Sequence, residues 1–359
     1  MPPRSRVQLA ARLLVAPLAA AAAATPLVAQ GAERYTLRGR DVAVYDPAGR
    51  VQVVAGSGSD VVVEVTRGGR DGARLRVATD EVDGRPSLRV IAPERDLVYP
   101  RMGRNDDAEL EVRDDGTFGD GDRGGRTRLR IRGSGPGPEA YADLVVRLPA
   151  GTRLRLATGV GEATARDVAA DLTIGANAGR VTIERTRGRL TVGSGSGHLT
   201  LRDVQGEDVA VGTGSGGADL HGVRAERLLR VGTGSGGVEG GDLAADEVKL
   251  GTGSGGMRLG RVRARRLQMG TGSGRVELEL AEGLEDARIG TGSGGVTLRV
   301  PPTLGATFEV TTGSGGVRTD VPVQLIRQER GRFEGRVGDG RARVRVSTGS
   351  GGVRLEPAR

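Results

Sequence analysis

Residues 212–218 read GTGSGGA, and relatives of this heptapeptide return along the second half of the chain. The eight copies are GSGSGHL at 193–199, GTGSGGA at 212–218, GTGSGGV at 232–238, GTGSGGM at 251–257, GTGSGRV at 270–276, GTGSGGV at 290–296, TTGSGGV at 311–317 and STGSGGV at 347–353. In the first seven copies the second hydroxyl residue, from Ser196 to Ser314, recurs every 19 to 21 residues. A short, fixed period of this kind is typical of stacked structural repeats. We therefore expect coils whose equivalent positions lie above one another.

Each repeat alternates with a period of two, which predicts β-strand and not helix. Around one copy, Val248, Leu250 and Thr252 share one parity, whereas Lys249 has the other. The alternation resets after the glycine pair at 255–256, so each coil holds two short strands. A single coil cannot bury its apolar face, and neighbouring coils must stack about 4.8 Å apart to form a core. The sequence therefore predicts an all-β fold, a parallel β-solenoid of about 19–20-residue coils.

The hydroxyl residues of the repeat are predicted to point into the coil. In an irregular early coil Ala176 and Ala178 hold the places of the later Thr and Ser, and Val160 holds the second place one coil before. Since small apolar residues substitute there, Thr213, Ser215 and their equivalents are expected in a narrow corner, bonded to one another or to backbone carbonyls. The alternate glycines would then face outward. An ice-binding protein, which would need the hydroxyls outside, is the least favoured function.

Three longer runs extend the pattern. They are LPAGTRLRLATGVGEA at 148–163, VPPTLGATFEVTTGSGGV at 300–317 and GDGRARVRVSTGSGGVRLEP at 338–357. With these runs, roughly residues 37 to 357 resemble the bacterial adhesin-type family DUF4097, a domain family of unknown function. The resemblance implies an exported, right-handed parallel β-solenoid, similar to a β-helix. It supplies no catalytic residue that can be carried over to this chain, because a shared fold does not define an activity.

The N-terminus is interpreted as a secretory signal peptide over residues 1–30. Arg4, Arg6 and Arg12 precede the apolar, Ala-rich run LLVAPLAAAAAATPLVA. That run is too short to favour a membrane helix. No cysteine follows it for lipid attachment, and no later run of 18 apolar residues predicts a transmembrane segment after cleavage. We expect an exported protein in the periplasm, at the cell surface or outside the cell.

Behind the leader, the pattern divides the chain into three parts. Residues 31–147 are an N-terminal β region with a polar loop near 101–126, where apolar residues become scarce. Regular solenoid repeats follow over 148–317. Residues 318–359 break the rhythm, because the last two copies of the repeat lie 36 residues apart. We predict a modified coil or hairpin cap there, followed by the last repeat, since an open solenoid end needs a cap.

Composition argues against nucleic-acid binding. The chain has 63 glycines and lacks cysteine and tryptophan, with three phenylalanines and four tyrosines. Aromatic platforms for stacking bases are therefore scarce. The net charge of +8 falls to +5 without the three arginines of the leader. Basic residues are scattered apart from RVRARR at 261–266, which favours a solvated surface over a nucleic-acid site.

Motif matches supply neither a cofactor nor a metal site. GTGSGG contains G-x-G-x-x-G, but dinucleotide binding requires a helix after the glycines, and no copy has a helical pattern behind it. Lys249, the one lysine, precedes its glycines and so excludes a P-loop. A calcium β-roll needs an acid in each turn, where this repeat has hydroxyls and glycines. Asp114, Asp115, Asp120 and Asp122 could hold one calcium ion if the polar loop folds back, but we interpret them as solvated acids.

No catalytic residue is predicted. His198 and His221 fall in different coils, outside any nucleophile or metal signature, and are interpreted as surface residues. Glu277 and Glu279 share one face of a strand, as paired carboxylates do in polysaccharide-cleaving enzymes, but glutamates are also ordinary on a solvated strand. A non-enzymatic protein is favoured, and a polysaccharide-active solenoid enzyme is the alternative.

The favoured function is an adhesin-like or envelope contact scaffold. Arg230, Lys249 and Arg288 fall at one recurring outward position, and Gln268 interrupts the row. Such a row would attract an anionic polysaccharide or another envelope component, with binding that weakens as salt rises. The alternative is a charged row that only solvates the surface. The oligomeric state is left open by the sequence.

Overall fold

The computed structural model describes residues 31–119 and 126–358, and the predicted signal peptide at 1–30 lies outside these ranges. Regular structure in the described residues is β-strand, apart from one 3-10 turn at Gly72–Arg74. The predicted all-β class is confirmed. This strand content follows from the period-two alternation and from the many β-branched residues of the chain.

We number the strands β1 to β28 in chain order. The N-terminal region contains β1 (Glu33–Leu37), β2 (Asp41–Ala55), β3 (Val61–Gly68), β4 (Arg76–Val82), β5 (Arg85–Ile91), β6 (Asp96–Val98), β7 (Asp107–Arg113), β8 (Arg126–Arg132) and β9 (Tyr141–Leu148). The middle contains β10 (Arg153–Arg166), β11 (Asp171–Glu184), β12 (Leu190–Ser194), β13 (Leu199–Arg202), β14 (Gln205–Thr213), β15 (Ala218–His221), β16 (Arg224–Thr233), β17 (Val238–Gly241), β18 (Leu243–Thr252), β19 (Met257–Thr271), β20 (Val276–Leu280), β21 (Asp286–Thr291) and β22 (Val296–Val300). The C-terminal region contains β23 (Ala306–Thr312), β24 (Val317–Thr319), β25 (Gln324–Glu329), β26 (Arg332–Val337), β27 (Ala342–Thr348) and β28 (Val353–Pro357).

Parallel pairing between successive repeats builds a solenoid-like sheet. Leu154 of β10 pairs with Leu172 of β11, which pairs with Leu190 of β12, which pairs with Val209 of β14. Each step joins a residue to its equivalent in the next repeat, as the period of the motif requires. The second strands of the repeats form their own parallel ladder through β13, β15, β17, β19 and β20. The expected stacking of coils through parallel strands is confirmed.

The core is a column of small aliphatic residues that alternate with exposed ones. In β16, Leu229 and Val231 are buried, whereas Arg230 between them is exposed. The same positions are buried in β18 as Val248 and Leu250. Because equivalent side chains stack on one another, every coil shields the apolar face of its neighbours. This continuous burial replaces the aromatic core that the composition cannot supply.

The first hydroxyl of each repeat lies inside the coil, as predicted. Thr213, Thr233, Thr252, Thr271 and Thr291 are each only 6% or 7% exposed. The hydroxyl satisfies backbone groups of the turn. Thr252 Oγ1 donates to the carbonyl of Gly255 at 2.9 Å, and Thr271 Oγ1 donates to that same carbonyl from the next coil at 3.0 Å. The threonines therefore bond to carbonyls of their own and adjacent turns.

The prediction that the second hydroxyl also points inward is wrong. Ser215 and its equivalents are exposed, because the chain bends directly after the threonine and the alternation does not continue through the turn. The burial of Val160 does not apply to the serines of the later repeats, because residues distant in the sequence cover Val160. Added Cβ atoms at the flanking Gly159 and Gly161 would contact Leu110 and Tyr99 at 3.0 and 3.3 Å, so elements of the N-terminal region cover this one turn. Val160 is buried by that cover.

The glycines of the repeat have two different environments. At Gly232, before the threonine, an added Cβ would meet nothing within 4 Å, so this glycine faces open space as expected. At Gly234 and Gly236, inside the turn, an added Cβ would lie 2.3 and 2.0 Å from the carbonyl oxygens of Gly214 and Gly216. A Cβ on either turn glycine would therefore point at the backbone of the preceding coil. The turn glycines are required because backbones stack where a side chain would begin.

The first coil is completed only after a long excursion. β2 pairs directly with β10, with Val42 opposite Leu154, although 97 residues separate the ends of these two strands. Part of the excursion extends the sheet, since β5 and β9 pair in parallel with β2. Antiparallel pairs of β3 with β1 and β9, and of β4 with β5, cover the N-terminal end.

The segment near 101–126, predicted as a polar loop, contains a strand. β7 pairs antiparallel with β8, and β6 joins β8 to complete a separate three-stranded sheet. Leu110 is buried, and Ala108 and Val112 pack against the core beside it. Three apolar residues at alternate positions are enough for one buried face, even among charged neighbours. Residues 120–125, with Asp120 and Asp122, lie outside the described ranges.

At the C-terminal end the order in space differs from the order in the chain. β27 lies between β21 and β23, so that Val346 pairs with both Ile289 and Val310. β28 likewise lies between β22 and β24. Beyond β23 an antiparallel hairpin of β25 and β26 follows. The segment 318–359 thus holds a hairpin and a last repeat, but the last repeat is inserted before the coil of β23 and β24.

Candidate functional site

The predicted basic residues lie side by side on one face. Pairing sets Arg230 of β16 opposite Lys249 of β18, Lys249 opposite Gln268 of β19, and Gln268 opposite Arg288 of β21. We call these four residues the basic row. Neighbouring strands of a sheet lie about 4.8 Å apart, so that the row crosses the coils almost at right angles to the strands. The register expected from the repeat is therefore present.

The row has one further member that sequence reasoning missed. Arg345 of β27 pairs with Arg288, and Glu309 of β23 pairs with Arg345 beyond it. The only signal in the sequence was that Arg345 stands two residues before Ser347, as Arg288 stands two before Gly290. Its position next to Arg288 depends on the insertion of β27, which the local pattern does not reveal.

Acidic side chains on the same strands moderate the charge of the row. Lys249 Nζ lies 2.9 Å from a carboxylate oxygen of Glu247, and Arg288 Nε lies 3.3 Å from Asp286. Arg345 contacts Asp286 at 3.1 Å and Glu309 at 3.7 Å. Arg230 makes no ion pair with the residues that the structure describes. The positive charges of the row are thus partly neutralised by acidic neighbours, except at Arg230, which stands at one end.

A shallow hollow of about 450 Å³ adjoins the row at its C-terminal end. Its lining includes Gln268, Arg288 and Arg345, together with Gly290 and Ser347. The two small residues keep the floor of the hollow low between the longer side chains. An extended ligand could therefore lie across several coils here and contact the guanidinium groups from one side.

The residues weighed for catalysis and metal binding are engaged in local contacts. His198 Nε2 lies 2.9 Å from Asp219 Oδ2, and His221 lies one coil away in β15. Glu277 Oε2 accepts from Arg258 Nε at 3.4 Å, whereas Glu279 is half-buried on the same strand. Over residues 31–119 and 126–358, no three histidine or acidic side chains are grouped so as to hold a metal ion.

Of the four loop acids, two are described. Asp115 accepts hydrogen bonds from the backbone N–H and the hydroxyl of Thr117, at 2.9 and 2.7 Å. It also lies 3.6 Å from Arg89, a buried guanidinium. Asp115 thus closes the turn after β7, which is a structural task. Asp114 is exposed in that turn.

A buried carboxyl group, Asp46, was not singled out from the sequence. It is 1% exposed, and neither of its carboxyl oxygens has a hydrogen-bond partner of good geometry. Burial raises the pKa of Asp46 well above its usual range, and the charge of Asp143 adds to the rise, while the nearby backbone N–H of Ala48 opposes it. Asp46 pairs with Thr158, the start of the threonine column. Only an alignment of β2 with β10 could have revealed this.

Asp143, whose charge acts on Asp46, belongs to an aromatic and ionic cluster. Tyr99 and Tyr141 meet edge to face with ring centres 5.4 Å apart, and the Arg101 guanidinium lies 4.5 Å above the Tyr141 ring. Arg101 Nη1 donates to Asp143 Oδ1 at 2.7 Å. Hydrogen bonding to Asp143 raises the pKa of Arg101 further, so that its charge is fixed. Asp143 Oδ1 also accepts from the backbone N–H of Arg50 in β2 at 3.0 Å, which connects the cluster to the first coil.

Comparison with known proteins assigns the family. Residues 131–356 match the sequence model of the Toastrack family, DUF4097. The chain belongs to the Toastrack family. The match covers most of the stacked coils and the C-terminal insertion, and it agrees with the resemblance noted in the sequence.

Further comparisons add little to the Toastrack assignment. A crystal structure described as a "putative cell adhesion protein" from Clostridium sporogenes matches with a TM-score of 0.22 and 10% identity, covering 91% of this chain and 100% of the other. No curated protein matches the chain. The described residues include no helix that is long and apolar enough to cross a membrane.

Proposed function

We propose that this Toastrack protein is an exported, non-enzymatic contact scaffold of adhesin type. Its ligand is an anionic polysaccharide or another acidic envelope component that lies across the coils along the basic row. The observation that supports this best is the pairing of Arg230, Lys249, Gln268, Arg288 and Arg345 in adjacent strands. A line of cations on one face, with a single gap at Gln268, suits a polymer with repeating negative charge.

Each contact in the proposed complex is weak. Glu247 and Asp286 already neutralise part of the row, and exposed ion pairs contribute about 0–1 kcal/mol each. Useful affinity would come from several contacts made at once by one chain. We infer that binding depends strongly on salt and on the length of the polymer.

The proposal includes export and the winding of the coils. The leader with Arg4, Arg6 and Arg12 supports export to the periplasm, the cell surface or the medium. We infer right-handed coils of about 19–20 residues, because parallel strands of one sheet are connected in that hand in about 98% of cases. Mass spectrometry of the protein from fractionated cells tests export, since a chain retained uncut in the cytoplasm would contradict it.

The binding test uses the mature chain and immobilised polygalacturonate at rising salt. Replacing Arg230, Lys249 and Arg288 together by Ser is expected to lower affinity at least about tenfold at low salt, by loss of charge attraction. The control replaces Arg180, Arg224 and Arg263, three exposed arginines outside the row, and removes the same charge. Equal losses in both variants, or binding that salt does not weaken, would sink the proposal.

The two other functions are less well supported. Ice binding would need the threonine and the serine of each repeat to face outward together, but only the serines are exposed and the threonine column is buried. A polysaccharide-active enzyme would use the carboxylates of Glu277 and Glu279, but Glu277 is held by Arg258 and flanked by Arg275 and Arg299 at 4.0 Å. Release of reducing ends from polygalacturonate by the purified protein would favour the enzyme instead.

A further inference from the structure

A strip of bare backbone runs along the second strands of the coils. The carbonyl of the residue before each second strand accepts a backbone hydrogen bond, at 2.8 to 3.0 Å, from the first residue of the second strand in the coil beside it. In spatial order these residues are His198, Gly217, Gly237, Gly256, Arg275, Gly295, Gly352 and Gly316. We call this series the glycine strip. Arg275 divides it into two halves of three glycines each.

Stacking in the strip would accept a side chain after the neighbouring backbone shifts by a few tenths of an ångström. A Cβ added at Gly295 or Gly352 would meet its nearest neighbour at 3.3 or 3.2 Å, and at Gly316 it would meet nothing within 4 Å. By contrast, a Cβ added at Gly294 in the turn would lie 1.7 Å from a carbonyl oxygen. His198 and Arg275 show that the strip accepts side chains. The strip glycines therefore leave the backbone uncovered at positions where the fold would accept a side chain.

The C-terminal half of the strip is the floor of a hollow of about 480 Å³. Its charged walls are Arg275, Arg318 and Arg354, with Glu356 as the one acid. Arg354 pairs with Arg318 across β28 and β24, two residues beyond the glycines. A volume of this size lies within the range of small-ligand sites, about 300–1,000 Å³.

The three guanidinium groups keep hydrogen-bonding capacity for a ligand. Arg318 is exposed and makes no ion pair with the described part of the chain. Arg354 Nη1 lies 3.4 Å from Glu356, and Arg275 Nη1 lies 4.0 Å from Glu277. Both distances exceed the roughly 2.7–2.9 Å of a strong charge-assisted bond. Five N–H donors on each group remain largely available.

The N-terminal half of the strip has the same backbone but a different, mixed charge. Beside Gly217 and Gly237 stand Asp219 and Glu239, which pair with each other across β15 and β17. Glu239 lies 3.5 Å from Arg258. Beside Gly256, the third glycine of this half, Arg258 occupies the equivalent position and pairs with Glu239. The same bare floor is thus bordered by mixed charges in one half and mainly by arginines in the other. The charge of the C-terminal hollow is a local property and not a consequence of the repeat.

We propose that the C-terminal hollow binds a tetrahedral oxyanion, a phosphate or sulfate group together with the unit that carries it. The planar fork of arginine matches pairs of oxygens on phosphate and sulfate better than a point charge does. The glycine floor lets the anion approach the backbone closely. The insertion of β28 completes this site, because it places Gly352 and Arg354 between the strands that carry Thr297 and Arg318. The site is separate from the basic row and does not depend on it.

Calorimetric titration of the mature protein with inorganic phosphate, and separately with dextran sulfate, tests this proposal. We expect saturable phosphate binding at one site per chain. Replacing Arg318 and Arg354 together by Ser should weaken it at least about tenfold, with circular dichroism and thermal midpoint unchanged, since both side chains are exposed. The Lys/Lys variant keeps the charge but loses the fork, and should show an intermediate loss.

Two controls separate this site from the row. Replacing Arg180 and Arg224 by Ser removes two exposed charges elsewhere and should change phosphate binding less than twofold. The triple variant of the basic row should behave in the same way, even if it no longer binds polygalacturonate. In the triple variant of the basic row, binding of dextran sulfate that is tighter than that of phosphate and is lost with Arg318 and Arg354 would identify a polymer-borne anion, and equal binding a small one. Unsaturable phosphate binding, or equal affinity in wild type and the Ser/Ser variant, overturns the site.

Discussion

Ile289 pairs with Val346, which lies 57 residues further along the chain, and not with Val310 in the next coil of the sequence. β27 and β28 therefore form the last coil in the sequence, but in the stack of coils they occupy the last position but one. Both edges of β27 are paired, with β21 on one side and β23 on the other. The end of the solenoid is closed by a segment that must insert between two coils.

The first prediction concerns this inserted coil. Val346 is 2% exposed, so Val346→Asp places an unpaired carboxylate between two coils. We expect a loss of about 4 kcal/mol or more in unfolding free energy, measured by urea denaturation, with gain of aggregation as β21 and β23 lose their partner. Arg343→Ser on the exposed face of the same strand is the control and should cost less than about 1 kcal/mol. Equal stability of the two variants would show that the coil is dispensable.

Much of this fold could be predicted from the period of the repeat, but the order of the last coils could not. Val344 and Val346 of β27 present the same buried pattern as Phe308 and Val310 of β23. Either strand could pack on Ile289 by local pattern alone. The choice depends on which partner the rest of the chain supplies, here the antiparallel β26. Pairing between strands so distant in the sequence cannot be predicted from the pattern of about ten neighbouring residues.

The candidate sites show the same limit. The basic row followed from the register of the repeat, because Arg230, Lys249 and Arg288 occupy equivalent positions. Its continuation by Arg345 and the hollow around Arg354 depend on the inserted coil. The burial of Thr213 was visible from Ala176 in an earlier coil. The exposure of Ser215 was not, because Val160 is covered by a region distant in sequence.

The second prediction concerns the threonine column. Thr252 is 7% exposed and donates to the carbonyl of Gly255. Thr252→Val should cost about 1 kcal/mol for the lost hydrogen bond, and Thr252→Lys about 4 kcal/mol or more for a buried charge. Lysine at the neighbouring Gly251, where an added Cβ meets nothing within 4 Å, is the matched control and should have little effect. Chemical denaturation of the three variants compares them, and a tolerated Thr252→Lys would mean that the corner is open to water.

The third prediction separates the two kinds of glycine. Gly236→Ala brings a Cβ to 2.0 Å from the carbonyl oxygen of Gly216, whereas Gly232→Ala meets open space. The first variant should lose about 1–3 kcal/mol or more, because two stacked turns must move apart. The second should be neutral or slightly stabilising, since alanine restricts the unfolded chain. Thermal midpoints measured side by side decide this, and similar midpoints would mean that the turns are not in contact.

The fourth prediction concerns pH and the buried Asp46, whose folded pKa is raised well above the ordinary value of 3.8. Above that value the unfolded chain releases the proton while the folded chain keeps it, so the folded state binds more protons. Stability from this group is complete below about pH 3.8 and is lost as the pH rises towards and through the raised folded pKa.

The side chain of the Asp46→Asn variant cannot ionise. From linkage, we expect this variant to have a higher thermal midpoint at about pH 8 and a flatter decline of stability between about pH 5 and pH 8. Asp143→Asn removes the neighbouring charge and the partner of Arg101, so it lowers the folded pKa of Asp46 and should make the decline end at a lower pH with a smaller total loss. A wild type whose stability rises over the same pH interval, or an unchanged profile in Asp46→Asn, would show that the carboxyl group is ionised in the folded protein.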